Sequence, residues 1–270
     1  MTTQQQIIDA LGIDRNFDAQ REVERRIDFI IRQLKESGTR ALVLGISGGV
    51  DSTTTGRLCQ LAAERIREQG GDATFYAMRL PYGEQHDEDD AQAAINYIRA
   101  DEQLDVNVKP SADGMLASLE QAGLAFNDEY QRDFVQGNIK ARARMIAQYA
   151  VAGRHNGLVV GTDHGAEAVM GFFTKHGDGA CDITPLAGLA KRQVRAMLSV
   201  LDGPEALVNK VPTADLETLS PGRTDEEALG VTYDQIDDFL EGREIDREAA
   251  ERIIRTYDRT AHKRELPRAP

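Results

Sequence analysis

Between residues 20 and 35, apolar side chains recur at Val23, Ile27, Ile30, Ile31 and Leu34, the spacing of a helix with one buried face. The pattern then changes. Ala41-Leu42-Val43-Leu44-Gly45-Ile46 is a nearly unbroken apolar run closed by Ser-Gly-Gly, which predicts a buried strand. Further strands are predicted at 73–80, 106–108 and 157–160, with a weaker fifth at 207–211. Helical spacing fills 52–69, 89–100, 112–122, 129–152, 191–201, 233–240 and 247–261. Apolar strands alternating with amphipathic helices predict an α/β fold with a doubly wound, mostly parallel sheet flanked by helices. There is no internal repeat and no low-complexity linker, so residues 1–270 are expected to form one domain.

Composition narrows the class. With 41% hydrophobic and 29% charged residues, the chain has the balance of an ordinary soluble protein. No apolar run is long enough to cross a bilayer, and the start of the chain lacks a signal peptide's basic and apolar stretches, so the cytoplasm is the expected compartment. The net charge of -13 repels polyanions, so no nucleic-acid partner and no membrane partner are expected. Cys59 and Cys181 give neither a disulfide framework nor a zinc-binding pair. Cys181 lies between Asp178 and Asp182, the wrong field for a reactive thiolate.

The strongest chemical signal is Gly45-Ile46-Ser47-Gly48-Gly49-Val50-Asp51-Ser52, between a predicted buried strand and a predicted helix. Glycines at the carboxyl end of a parallel strand let backbone N–H groups approach an anion, and the helix start adds more. Ser47 and Ser52 add hydroxyls. The octet lacks the lysine of a Walker A loop and the G-x-G-x-x-G spacing of a dinucleotide loop. It carries Asp51 instead, and a carboxylate beside a polyphosphate calls for a bridging cation, with Mg²⁺ the best match. Read alone, Ser-Gly-Gly is an ordinary turn and Asp51 an ordinary first-turn helix charge.

Three further stretches carry polar chemistry. Arg79 leaves the second strand at its carboxyl end. At about 100° per residue, Phe134, Met145, Asn138, Tyr149, Arg142, Ile146 and Ile139 share one helix face, with Arg142 near its centre, where a cation needs a partner or a ligand. Gly161-Thr162-Asp163-His164-Gly165-Ala166-Glu167 follows another strand, and its Glu167 offers a second carboxylate to a metal on Asp51; His164 is expected to be structural. Residues 171–188 form a glycine-rich, charged segment expected to be mobile.

Ser47-Gly48-Gly49-Val50-Asp51-Ser52 resembles the signature of the PP-loop ATP pyrophosphatases, which share the adenine-nucleotide alpha hydrolase type of Rossmann-like fold. Within that group the chain is similar to the ammonia-dependent NAD synthetases. The resemblance rests on Arg79-Leu80-Pro81-Tyr82-Gly83-Glu84-Gln85, Gly137-Asn138-Ile139-Lys140-Ala141-Arg142, the Gly161–Glu167 stretch, Phe172-Phe173-Thr174-Lys175-His176-Gly177-Asp178-Gly179-Ala180-Cys181-Asp182, Lys191, Thr213 and His262-Lys263. It runs from about Val43 to Lys263. It implies that ATP and deamido-NAD react to an acyl-adenylate and pyrophosphate, and that ammonia then gives NAD and AMP. It implies ATP contacts from the Gly45–Ser52 octet, Arg79, Gln85, Thr162, Lys191 and Thr213. It implies deamido-NAD contacts from Arg142, Lys175, Asp182, His262 and Lys263, and Mg²⁺ on Asp51 and Glu167. Lys175, Asp178 and Lys191 are the expected catalytic residues, with Asp178 binding ammonium and accepting its proton, and residues 171–188 closing over the intermediate. A homodimer with substrate at the subunit interface is implied as well. Ammonia is the expected nitrogen source, because neither cysteine has a base partner for a glutaminase site. A tRNA-modifying PP-loop enzyme would show a basic surface, and a non-catalytic sensor would have lost Asp51, Glu167, Lys175, Asp178 and Lys191.

Overall fold

The structure is a computed structural model that describes residues 2–83, 88–213, 216, 219, 224–267 and 269. At its centre lies β1 (Ala41–Gly45), with β2 (Thr74–Arg79) on one side, β4 (Gly157–Val159) on the other and β3 (Glu102–Asp105) beyond β2. All pairings are parallel, with Ala41 opposite Thr74 and Gly157, and Tyr76 opposite Glu102. The chain therefore leaves β1, β2 and β4 at the same end of the sheet, where ligands bind in such folds. Between and after the strands come α1 (Gln4–Leu11), α2 (Ala19–Ser37), α3 (Val50–Glu68), α4 (Glu88–Ile98), α5 (Lys109–Gln121), α6 (Glu129–His155), α7 (Gly165–Met170), α8 (Lys191–Val200), α9 (Glu205–Val208), α10 (Asp225–Leu229), α11 (Tyr233–Leu240), α12 (Arg247–Arg259) and α13 (Ala261–Arg264).

The alternation of a strand decides which layer each β1 side chain joins. Leu42 and Leu44 enter a core with Val23, Ile27 and Ile30 of α2, Leu58 and Ala62 of α3, and Val194 and Met197 of α8. Val43 points to the opposite layer with Ala112 of α5 and Ala143 and Ala152 of α6. Both faces are covered, which is why β1 reads as continuous apolar sequence. A third core joins α1, α7, α11 and α12 around Ile7, Val169, Ile236, Phe239 and Ile253, and it packs beside the sheet end where the strands finish.

Four expectations need correction. Residues 207–211 are not a strand: residues 205–208 form α9, started by Pro204 and burying only Leu207. Proline suits a helix start, and Glu-Ala-Leu favours helix over strand. The third strand lies at Glu102–Asp105 rather than 106–108. Pairing does continue past it, since Val106 N–H and Val108 N–H donate to the carbonyls of Arg79 and Pro81 at 2.9 Å. The apolar face of α6 is not buried: Phe134 is 52% and Ile146 60% exposed, while Asp133, Gly137, Lys140 and Ala141 face inward. Residues 171–188 do have packing partners of their own, described below. The helix α1, which sequence periodicity did not reveal, is held by a capping box between Thr3 and Gln6 and buries Ile7 and Ile8. Among the described residues, no helix is long and apolar enough to cross a membrane.

Candidate active site

The loop between β1 and α3 is shaped by a close approach. Ile46 N–H still donates to Met78 O at 2.8 Å, after which Gly48 turns with φ +81°. A Cβ there would stand 2.6 Å from Ala91 N and 2.8 Å from Asp90 C, so the loop lies directly against the first turn of α4. Ser47 Oγ and Ser52 Oγ sit 3.1 Å apart, and Gly49 N–H donates to Ser47 Oγ at 3.3 Å. No side chain caps the start of α3 at Gly49. The first N–H groups of α3 and the two hydroxyls thus gather at one place, an arrangement suited to phosphate oxygens.

Asp51, His164, Glu167 and Lys191 meet beside this loop. Lys191 Nζ lies 2.6 Å from Asp51 Oδ2. His164 Nε2 lies 3.4 Å from Asp51 Oδ1, 3.6 Å from Glu167 Oε2 and 3.5 Å from Lys191 Nζ. Burial pushes the Asp51 carboxyl up, but the charge of Lys191 and its hydrogen bond outweigh this and hold the group below its usual range. Glu167 goes the other way. Burial and the neighbouring Asp51 charge push it well above the ordinary carboxylate range, and Lys191 offsets only part of this. Lys191 is itself buried, which disfavours its charge, yet Asp51 and Glu167 leave it more firmly protonated than a free lysine. Buried His164 is pushed down to about 3, so the imidazole is neutral at physiological pH.

These residues fit a divalent cation. One donor atom each from Asp51, His164 and Glu167 lies within 4.8 Å of the others. Asp51 Oδ1 is buried with no hydrogen bond, and among the described residues Glu167 has no cation within ion-pair distance, its neighbour His164 being neutral. With both carboxylates ionised, the single lysine would leave an excess negative charge for a divalent cation to balance. Oxygen donors of this kind suit Mg²⁺. The half-buried Asp163 extends the acidic side. Burial, with the charges of Asp178 and Asp51, raises its carboxyl to about 7.

A second group of predicted residues gathers along 171–182. Arg142 Nη2 donates to Lys175 O at 3.1 Å, and Lys175 Nζ donates to His262 O. Lys263 Nζ donates to Gly171 O at 2.8 Å and to Phe173 O at 2.7 Å, and Asp178 Oδ1 accepts from Thr174 N at 3.0 Å. The segment expected to be mobile because it had little to pack on is thus tied to α6 and α13. Asp182 is exposed; Oδ2 accepts from Val159 N at 2.7 Å and Oδ1 from Tyr149 OH at 3.4 Å, so this carboxylate also finishes the β4 edge. Cys181 is not activated: burial and the Asp163 and Asp182 charges push its thiol up to about 12.

Other predicted residues are placed less directly. Arg79 pairs with Glu88 and lies 3.6 Å from Asp105. Thr213 is exposed and bridges to Thr224, while Thr162 is half-buried between β4 and α7. Gln85 lies outside the described residues. Sequence reasoning passed over Asp163, whose only signal was its place between Thr162 and His164. It also gave α11 no part in the site, although Tyr233 lies beneath the Lys191 ammonium, 5.0 Å from ring centroid to Nζ.

Comparisons with known proteins place the chain in a family. The sequence model of the NAD synthase family matches residues 22–267. The ammonia-dependent NAD⁺ synthetase of Streptomyces coelicolor is 62% identical over 267 residues, 99% of this chain and 97% of that one. Among solved structures, the NAD⁺ synthetase of Burkholderia pseudomallei is 58% identical with a TM-score of 0.85, covering 98% of this chain and 96% of the other. An NMN synthetase from Francisella tularensis is 33% identical with a TM-score of 0.81, over 94% and 99% of the two chains. With the phosphate loop, the paired carboxylates and near full-length similarity in agreement, the chain belongs to the NAD synthase family, among its ammonia-dependent members.

Proposed function

We propose that this ammonia-dependent NAD synthetase joins ATP, deamido-NAD and ammonia at the carboxyl ends of β1, β2 and β4. The observation that carries the reading is the convergence of Lys191, Asp51 and Glu167 on the Ser47–Ser52 loop, with Lys191 Nζ 2.6 Å from Asp51. The N–H groups and hydroxyls of the loop receive the phosphates. Asp51 and Glu167 would hold Mg²⁺, which when bound supplies positive charge against the triphosphate. Lys191, already protonated and buried, adds a fixed cation where charge grows on the leaving group. Thr162, Thr213, Arg79 and Gln85 complete the ATP side, with Arg79 exchanging Glu88 for the nucleotide.

Arg142, Lys175, Asp182, His262 and Lys263 take deamido-NAD, a role supported by the hydrogen bonds that already join Arg142, Lys175 and His262. The substrate carboxylate oxygen bonds to the α-phosphorus, and the bond to the bridging oxygen breaks, releasing pyrophosphate with the electron pair. Ammonia then attacks the acyl carbon and AMP leaves. Asp178 and Asp163 form the acidic side that draws ammonium and takes its proton, since only the free lone pair is nucleophilic. Residues 171–188 shield the adenylate from water. On this reading the whole chain is one catalytic unit, working in the cytoplasm as a homodimer with deamido-NAD at the subunit interface. The exposed apolar face of α6 supports pairing.

The test is pyrophosphate release by the purified chain. Release should require ATP, Mg²⁺ and deamido-NAD, should fall sharply when nicotinic acid mononucleotide replaces deamido-NAD, and NAD should accumulate once ammonia is added. Release with tRNA in place of deamido-NAD, or ATP binding with no turnover, would overturn it.

A further inference from the structure

Lys191 is the first residue of α8, and its backbone is fastened from outside its own helix. The preceding Ala190 offers no side-chain oxygen to the open N–H groups of that helix. Asp237, one turn before the end of α11 and 1% exposed, supplies both. Its Oδ1 accepts from Lys191 N and its Oδ2 from Arg192 N, each at 2.8 Å. Arg192 strengthens the junction with α11 through Asp238 at 2.8 Å, Glu241 at 3.4 Å and Asp234 at 3.5 Å. One turn earlier on α11, the Tyr233 ring lies under the Lys191 ammonium. Tyr233 and Asp237 share a helix face, so α11 holds Lys191 at both ends, by its amide and by its charge.

The same tyrosine reaches a second predicted phosphate contact. Tyr233 OH donates to Asp225 Oδ2 at 2.8 Å, and both residues are buried. Asp225 N–H in turn donates to Pro212 O at 3.2 Å, and Thr213 bridges to Thr224. Lys191 and the segment around Thr213 are therefore both linked to α11, the second through Asp225.

We infer that Asp237 and Tyr233 are positioning residues for Lys191, fixing its ammonium over Asp51 so that it meets the leaving pyrophosphate without searching. A lysine stem has many rotamers, and a free one loses much of its attraction in ordering them. Here the amide is fixed by a buried carboxylate and the ammonium is attracted to a ring face, so that ordering is complete before ATP arrives. The inference rests on the reading of Lys191 as a phosphate contact.

The experiment is a double-mutant cycle. Asp237→Asn and Tyr233→Leu are each made with Lys191 present and with Lys191→Ala, and single-turnover pyrophosphate release is measured at saturating ATP, beside the melting temperature. Each variant should slow release about tenfold or more when Lys191 is present, and less than about twofold when it is absent. Any change in melting temperature should be the same in both backgrounds, because packing and capping at these residues do not depend on the lysine side chain. Equal slowing in both backgrounds would overturn the positioning role while leaving Lys191 in the site. If Lys191→Ala alone leaves release unchanged, the phosphate role fails and the inference fails with it. Tyr233→Leu keeps the test available should Asp237→Asn not fold, since it leaves the α8 amides bonded.

Discussion

The two oxygens of Asp51 differ in their surroundings. Lys191 bonds one of its oxygens, while the other lies buried without a hydrogen bond, toward His164 and Glu167. If that second oxygen and Glu167 share one Mg²⁺, Asp51→Asn and Glu167→Gln should each weaken Mg²⁺ binding in the ATP complex by about tenfold or more. Each should slow pyrophosphate release more than it weakens ATP binding, because charge on the leaving group grows during the step. Joining the two changes should cost less than the sum of the separate losses. Mg²⁺ titrations of the four proteins, followed by both binding and release, check this; fully additive losses would mean that the carboxylates serve different ions. Asp237 gives a pH signature at the same scale. Burial raises its carboxyl from 3.8 to about 6, against the pull of the Arg192 and Lys191 amides. An acid held above its ordinary range favours folding while protonated. Its contribution is therefore full below about pH 3.8 and is lost as pH rises through about 6. The loss amounts to about 3 kcal/mol. Asp237→Asn stays neutral, so its stability relative to the parent should improve across that window. Unfolding by urea at a series of pH values reads the difference, and a constant gap would count against it.

At the scale of elements, two glycines with nearly equal backbone angles separate strain from contact. Gly48 and Gly70 have φ of +81° and +80°, but a Cβ at Gly70 would meet nothing within 4 Å. Gly70→Ala should cost only the strain of a left-handed residue, about 1–2 kcal/mol, and leave ATP affinity alone. Gly48→Ala should also force the phosphate loop away from α4 and weaken ATP binding by well over about tenfold. Calorimetric ATP titrations beside melting curves distinguish the two; equal ATP affinity in both would show that the close approach does not shape the site. Gly48 also marks what was legible in advance. The β1–loop–α3 unit could be read from residues 41–52 because burial on both faces, a glycine turn and a helix start each leave a local mark. β3 left none: Glu-Gln-Leu-Asp is polar, and only its pairing with β2 makes it a strand. Residues 207–211 misled because a short apolar run fits either element. On α6 the spacing gave the right helix but the wrong side, since periodicity shows that a face is apolar and not what covers it. The approach of α11 to Lys191 was out of reach altogether, being a contact across more than forty residues with no motif to announce it.

At the scale of the molecule, the uncovered face of α6 and the net charge act in opposite directions. Phe134 and Ile146 offer apolar area that a second copy would bury, while each copy carries -13. If the chain pairs through this face, association should tighten as salt screens that repulsion, and Phe134→Glu with Ile146→Glu should leave monomers. Sedimentation at several ionic strengths measures both, and a pair that survives the double change would have to use another surface. The sheet itself limits which surfaces are open to such pairing. Its order places β3 on the outside, with Glu102, Gln103 and Asp105 exposed. An outermost strand offers free backbone donors and acceptors to any extended chain that drifts alongside, the usual first step toward fibrils. A row of carboxylates deters such an approach, most strongly from an identical row. The polarity that hid β3 from the sequence pattern therefore works against edge-to-edge pairing of copies along that strand, while at the opposite edge β4 is already met by its own chain, through Asp182 and Ile183.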